Sequence, residues 1–226
     1  MHRMIYRISL FIVITMALPV VATSADFSRK LTLLVLGDSL SAAYNMPLER
    51  GWVNLLQQRV AKTYPETHIV NASVTGETAE NAVRRLPALI ERHAPDVIVI
   101  ELGGNDGLRG FQLENIRQSL QTLIDTAKGA GAEVVLTGIH LNPNYGPRFN
   151  QLFFGMYREL AEENRVHYVP FILEGIGDDP EKMQEDAVHP TAEAQAEVLE
   201  NMWPAVEQAI RAAETKNPES RSQNSE

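Results

Sequence analysis

Ser39 stands in Gly37-Asp38-Ser39-Leu40-Ser41, directly after the apolar run Leu31–Leu36. A serine on a turn at the end of a buried strand is held rigidly and projected above the sheet edge, as a nucleophile must be. Its neutral hydroxyl is weak and needs a general base within hydrogen-bond reach. Asp186 and His189 stand three residues apart in Asp186-Ala187-Val188-His189-Pro190. On one loop, the carboxylate can accept from imidazole Nδ1 and leave Nε2 free to take the serine proton. Pro190 restricts His189 to extended backbone, which helps fix the ring. The base must be neutral, so turnover by such a set should fall toward acid pH. Gly76 and Asn105, the latter in Gly103-Gly104-Asn105-Asp106, lie beyond two further apolar runs. With the Ser39 backbone N–H they are candidate donors to an oxyanion. Each segment also has a plainer reading. Asp38, Ser39 or Ser41 can cap a turn, Gly103–Asp106 is a good turn sequence, and Thr191 can be the N-cap of a following helix with Glu193 in its first turn. Together, in this order, they point to a serine hydrolase.

The spacing narrows the class. Ser41 occupies the place of the second glycine in a G-x-S-x-G elbow, and the long stretch between acid and histidine found in α/β-hydrolases is missing. The chain has no cysteine, which excludes a thiol nucleophile, a disulfide framework and cysteine-ligated zinc. The acidic residues Asp178, Asp179, Glu181, Glu185 and Asp186 near His189 leave a metal-dependent hydrolase as a competing reading. Apolar Leu108, Phe111, Ile139, Leu141 and Tyr145 lie on loops near the proposed site and are candidates to line an acyl pocket, with His140 at its rim. The serine reading itself needs no metal and no cofactor.

The elements that must position these residues follow from hydrophobic periodicity. Strands are expected at Leu31–Leu36, His68–Ala72, Val97–Glu101, Val134–Gly138 and Val166–Val169. Helices are expected at Trp52–Lys62, Ala79–His93, Leu113–Lys128, Arg148–Glu163 and Ala192–Ala213. In the third helix Ile116, Leu120, Leu123, Ile124 and Ala127 share one face, and Gly129 is the expected C-cap. Near-continuous apolar strands alternating with helices predict an α/β fold, a parallel sheet covered on both faces. Ser39, Gly76 and Asn105 would then all lie beyond carboxyl ends of strands, where open α/β sheets bind ligands.

The termini read differently. His2, Arg3 and Arg7 precede the apolar stretch Ile8–Val21, and small residues follow through Ala25. That layout predicts a cleaved signal peptide over residues 1–25 and a periplasmic or secreted protein. Cleavage removes two of the 20 basic residues and none of the 29 acids, taking the formal charge from −9 to −11. So acidic a chain is a poor partner for nucleic acid or an anionic membrane, and no stable membrane insertion is expected after cleavage. One domain is expected over residues 26–213. Residues 214–226 have no apolar anchor and are expected to form a disordered tail. Oligomeric state is left open.

The four blocks Gly37–Ser41, Gly76, Gly103–Asp106 and Asp186–Pro190 resemble those of the GDSL esterases, or SGNH hydrolases. Asn71–Thr78, Val99–Gly110 and Asn144-Tyr145-Gly146 look like the bacterial branch of multifunctional acyl-CoA thioesterases, lysophospholipases and arylesterases; residues 140–147 and 172–185 depart from it. The resemblance implies a flavodoxin-like three-layer sandwich around a five-stranded parallel sheet. It implies Ser39 as nucleophile, His189 as base, Asp186 as its orienter, and Ser39, Gly76 and Asn105 as the oxyanion hole. The implied substrates are fatty acyl esters and thioesters. A non-catalytic periplasmic protein that binds acyl lipids is the alternative from outside enzymology.

Overall fold

The computed structural model describes residues 30–141 and 143–216. The predicted signal peptide and most of the predicted tail lie outside the described residues. The elements run β1 (Leu31–Gly37), α1 (Trp52–Thr63), β2 (Thr67–Asn71), α2 (Ala79–His93), β3 (Val97–Glu101) and α3 (Gly104–Leu108). They continue α4 (Leu113–Gly129), β4 (Glu133–Thr137), α5 (Pro147–Asn164), β5 (His167–Val169) and α6 (Gln195–Thr215). Short 3-10 turns stand at Leu48–Arg50 and Pro143–Tyr145. All strand pairs are parallel, in the order β2-β1-β3-β4-β5.

Side chains alternate across a strand, so each strand feeds two cores. Leu33, Val35, Val97, Val99 and Val135 pack with Trp52, Leu56 and Val60 of α1 and Val198, Met202 and Val206 of α6. Leu34, Leu36, Ile98, Ile100 and Leu136 pack on the other side with residues of α2, α4 and α5. The result is the three-layer sandwich that the resemblance implied.

This strand order creates the position of the site. After β1 the chain turns outward to β2, then returns to β3 and continues toward β5. The connections of β1 and β3 therefore leave in opposite directions, which opens a crevice at their carboxyl ends. Gly37 pairs with Glu101 there.

Three local expectations need correction. Asn105 is not in a plain turn but in α3, a single helical turn entered through Gly103 at φ 107°. The cap of α4 is not Gly129, which ends the helix. Gly131, at φ 84°, takes the left-handed position, and Ala132 N–H closes onto the Ala127 carbonyl. Thr191 does not cap α6: residues 192–194 form a turn whose Ala194 N–H bonds the Thr191 carbonyl, and the helix begins at Gln195. It ends at Thr215, two residues beyond the predicted boundary.

Candidate active site

The turn after β1 is braced from below and from the side. Ser41 Oγ donates to Glu101 Oε2 at 2.8 Å, and the Asp38 N–H reaches the same oxygen at 3.3 Å. Asn71, at the end of β2, donates from Nδ2 to the Ser41 carbonyl at 2.8 Å. Gly37 allows this close packing, because a Cβ there would stand 2.7 Å from Ser41 and 2.9 Å from Glu101 Oε2. Asp38 Oδ1 accepts from Leu40 N–H at 3.0 Å. Asp38 therefore caps the turn, as the plainer reading expected.

His189 Nε2 lies 2.8 Å from Ser39 Oγ, and its Nδ1 lies 2.7 Å from Asp186 Oδ2. The other oxygen, Oδ1, accepts the N–H groups of Val188 and His189, both at 3.0 Å. Burial pushes the Asp186 carboxyl up, but these two N–H groups and the imidazole outweigh it and hold the group below its ordinary value. An orienting carboxylate thus stays ionised while it fixes the Nδ1–H tautomer. With Nε2 left as the acceptor, the arrangement can carry the Ser39 proton away as the hydroxyl attacks.

The loop carrying the pair is itself fixed. Met183 bridges Pro190 in antiparallel fashion, and Gln184 N–H donates to the His189 carbonyl at 2.7 Å. Ala187 sits at φ 54°, an unfavourable conformation for alanine that the surrounding bonds enforce. The Gln184 side chain ties the loop to the turn after β1. Its Nε2 donates to the carbonyls of Tyr44 and Pro190, and its Oε1 accepts from Asn45 Nδ2. The Tyr44 ring packs on the His189 imidazole with centroids 4.4 Å apart. Sequence reasoning passed over Gln184 and Tyr44. No spacing signal marks them, because the bond that joins Gln184 to Tyr44 spans 140 residues.

Asn105 reaches the turn after β1, its Nδ2 donating to Asp38 Oδ2 at 2.9 Å, and it lines a cavity of about 600 Å³ together with Ser39 and His189. Gly76 is not among the residues that line that cavity. It adopts φ 77°, its carbonyl accepts from Arg109 at 2.9 Å, and its loop is tied to the turn by the Val74 N–H on the Gly37 carbonyl. Asp106 turns the other way: its carboxylate accepts the Ala79 N–H at the start of α2, where a negative charge meets the positive end of the helix.

Of the five apolar candidates, Leu108, Ile139 and Leu141 line the cavity. Phe111 does not. It packs against the core between the sheet and α4 and faces a separate, smaller polar pocket. Tyr145 does not either, since its hydroxyl donates to the Leu108 carbonyl and holds the ring in a half-exposed position outside the wall. Their places are taken by Phe154, Phe171, Leu173 and Met183. His140 does belong to the wall. It is stacked on Phe171 at 4.2 Å and edge-on to Phe154 at 3.9 Å, and burial lowers its basicity. Among the described residues no group of three or more histidine, aspartate or glutamate side chains is arranged to hold a metal ion.

Comparison with known proteins agrees with this architecture. The profile of the GDSL-like Lipase/Acylhydrolase family matches residues 35–197. The chain is 46% identical over 175 residues to "Esterase TesA" of Pseudomonas aeruginosa, covering 77% of this chain and 87% of that protein. It is 44% identical over 164 residues to "Thioesterase 1/protease 1/lysophospholipase L1" of Escherichia coli K12, covering 73% of this chain and 77% of the relative. A crystal structure of TesA superposes with a TM-score of 0.77 at 45% identity, covering 79% of this chain and 99% of that one. By profile, identity and fold, the chain belongs to the GDSL-like lipase/acylhydrolase family.

Proposed function

We propose that this hydrolase cleaves fatty acyl esters and thioesters through an acyl-enzyme on Ser39. The observation that carries the reading is the continuous relay from Ser39 Oγ through His189 to Asp186, with contacts of 2.8 and 2.7 Å. His189 Nε2 takes the hydroxyl proton as Oγ attacks the acyl carbon. The oxygen that gains charge is met by the Ser39 N–H and the Asn105 amide, residues that line the cavity, with the Gly76 N–H as the third donor that the family resemblance implies; such donors contribute a large share of acyl-transfer catalysis. His189 then gives its proton to the departing alcohol or thiol. In the second half water takes the leaving group's place, His189 accepts its proton, and the acid departs with Ser39 restored.

The apolar wall formed by Leu108, Ile139, Leu141, Phe154 and Phe171 supports an acyl chain as the occupant of the cavity. The names of the relatives, esterase and thioesterase/lysophospholipase, support aryl esters, acyl-CoA and lysophospholipids as substrates to test. The charged, apolar and small-residue order of residues 1–25 supports export to the periplasm. Among the described residues no helix is long and apolar enough to cross a membrane.

The test is a panel of esters and thioesters of varied acyl length, run on the wild type, Ser39→Ala, His189→Ala and the double variant, with labelling by a fluorophosphonate. Each single variant should lose nearly all turnover while keeping its fold. The double should be little worse, because one proton-transfer unit is disabled in every case. Substantial activity in Ser39→Ala, or multiplicative losses, would overturn the assignment.

A further inference from the structure

We propose that Asp38 is a positioning residue of the oxyanion hole, its ionised carboxylate holding the Asn105 amide so that an N–H faces the acyl oxygen. This rests on the reading that Ser39 is acylated and that Asn105 donates to the oxyanion. Asp38 is 3% exposed and lies between the sheet and the cavity that Ser39 and Asn105 line. Its Oδ2 accepts from Asn105 Nδ2 at 2.9 Å. An amide can turn by half a rotation and exchange its oxygen for its nitrogen. Opposite a carboxylate oxygen only the NH2 end is tolerated. One hydrogen is spent on Asp38, and the other is left for the cavity. Turned the other way, Asn105 would present a carbonyl to the developing negative charge.

The geometry also favours a charge on Asp38. Oδ1 accepts from Leu40 N–H and Oδ2 from Asn105, bonds that an ionised carboxylate makes more strongly than a neutral acid does. The groups around it arrange for ionisation despite burial. From β3, Glu101 is fully buried, accepts the Asp38 N–H and the Ser41 hydroxyl on Oε2, and meets no hydrogen-bond partner at Oε1 among the described residues. Burial and the Asp38 charge both push the Glu101 carboxyl well up. Burial lifts Asp38 to about 6, while the Leu40 N–H, the His189 imidazole and the Asn105 amide pull it down and Asp106 of α3 pushes it up. The buried Tyr157 hydroxyl of α5 also feels this charge, but donates to the Leu102 carbonyl. A proton arriving on Asp38 therefore disturbs either the turn at Leu40 or the hold on Asn105.

The experiment measures kcat and KM against pH for the wild type, Asp38→Asn, Asn105→Ala and the double variant. An asparagine at 38 keeps the shape but cannot accept from both N–H groups. Asp38→Asn should lower kcat by at least about tenfold and by no more than Asn105→Ala, with KM changed less than about threefold. The double variant should match Asn105→Ala alone, because Asp38 acts through Asn105. Below pH 6 the wild-type kcat should fall more steeply than first order in protons. Both single variants should fall first order, since each removes the Asp38 link. A wild-type rate in Asp38→Asn, multiplicative losses, or an acid limb unchanged in both variants would overturn the proposal. If Asp38→Asn fails to fold, the acid limb of Asn105→Ala decides alone. Fluorophosphonate labelling separates this from the parent reading. Wild type that labels at Ser39 while the Asp38 results fail sinks only the positioning role, and wild type that does not label at Ser39 sinks both.

Discussion

Asp38→Asn should also change how stability responds to pH, and the size of the change follows from where the carboxyl sits. In the unfolded chain the group titrates at its ordinary value of 3.8; in the fold, burial lifts it to about 6. The folded state therefore holds that proton more tightly than the unfolded state does. The stability this contributes is fully present below 3.8 and is lost as pH rises through about 6. At 1.36 kcal/mol per pH unit the loss is about 3 kcal/mol. Asparagine does not titrate, so the wild type should lose about 2.4 kcal/mol of this relative to the variant between pH 4 and pH 7, the rest falling below pH 4. For a domain of this size that is about 5–10 °C in the difference between the two Tm values. Glu101 adds to the same sign, because part of its own upward shift comes from the Asp38 charge. Groups common to both proteins cancel in the difference. Urea unfolding followed by far-UV circular dichroism, at pH values from 4 to 7 for both proteins, measures it. A wild-type-minus-variant stability that stays constant with pH, or that grows toward neutral pH, would refute the argument that a buried charge is held at this turn.

Two other substitutions test the surroundings. Asn105→Ala should lower kcat by roughly 100- to 1,000-fold with little change in KM; a destabilised protein with near-normal kcat would make Asn105 a structural residue only. Gly103→Ala should destabilise by about 2–5 kcal/mol, because its Cβ would overlap the Tyr157 hydroxyl and the residue sits at φ 107°. Adding Tyr157→Phe should recover part of the loss in thermal unfolding, and no recovery would assign the cost to the backbone alone.

The sheet and the relay were legible for the same reason: their signals are local. Apolar residues on both faces of Leu31–Leu36 and Val97–Glu101 require helices above and below. Asp186 and His189 are three residues apart, so one turn can join them without help from the rest of the chain. The capping glycine of α4 was displaced by two positions, because periodicity marks the apolar face and says little about where the last turn closes. The placement of Phe111 and Tyr145 was misread because loop residues near a site in sequence can turn to the core or to solvent, and spacing carries no record of which.

Local sequence was therefore enough for the order of elements, the parallel sheet and the choice of candidate residues for the site. What the tertiary structure alone decided was how those groups are held. The Asp38–Asn105 bond joins residues 67 apart, the Ser41–Glu101 bond residues 60 apart, and the Gln184 bond to Tyr44 residues 140 apart. An acid at the end of a strand reads as a solvated residue until the neighbouring strand is placed beside it. Glu101 becomes a buried brace of the turn only because the β2-β1-β3 order sets Gly37 against it, where a Cβ would stand 2.9 Å from Glu101 Oε2.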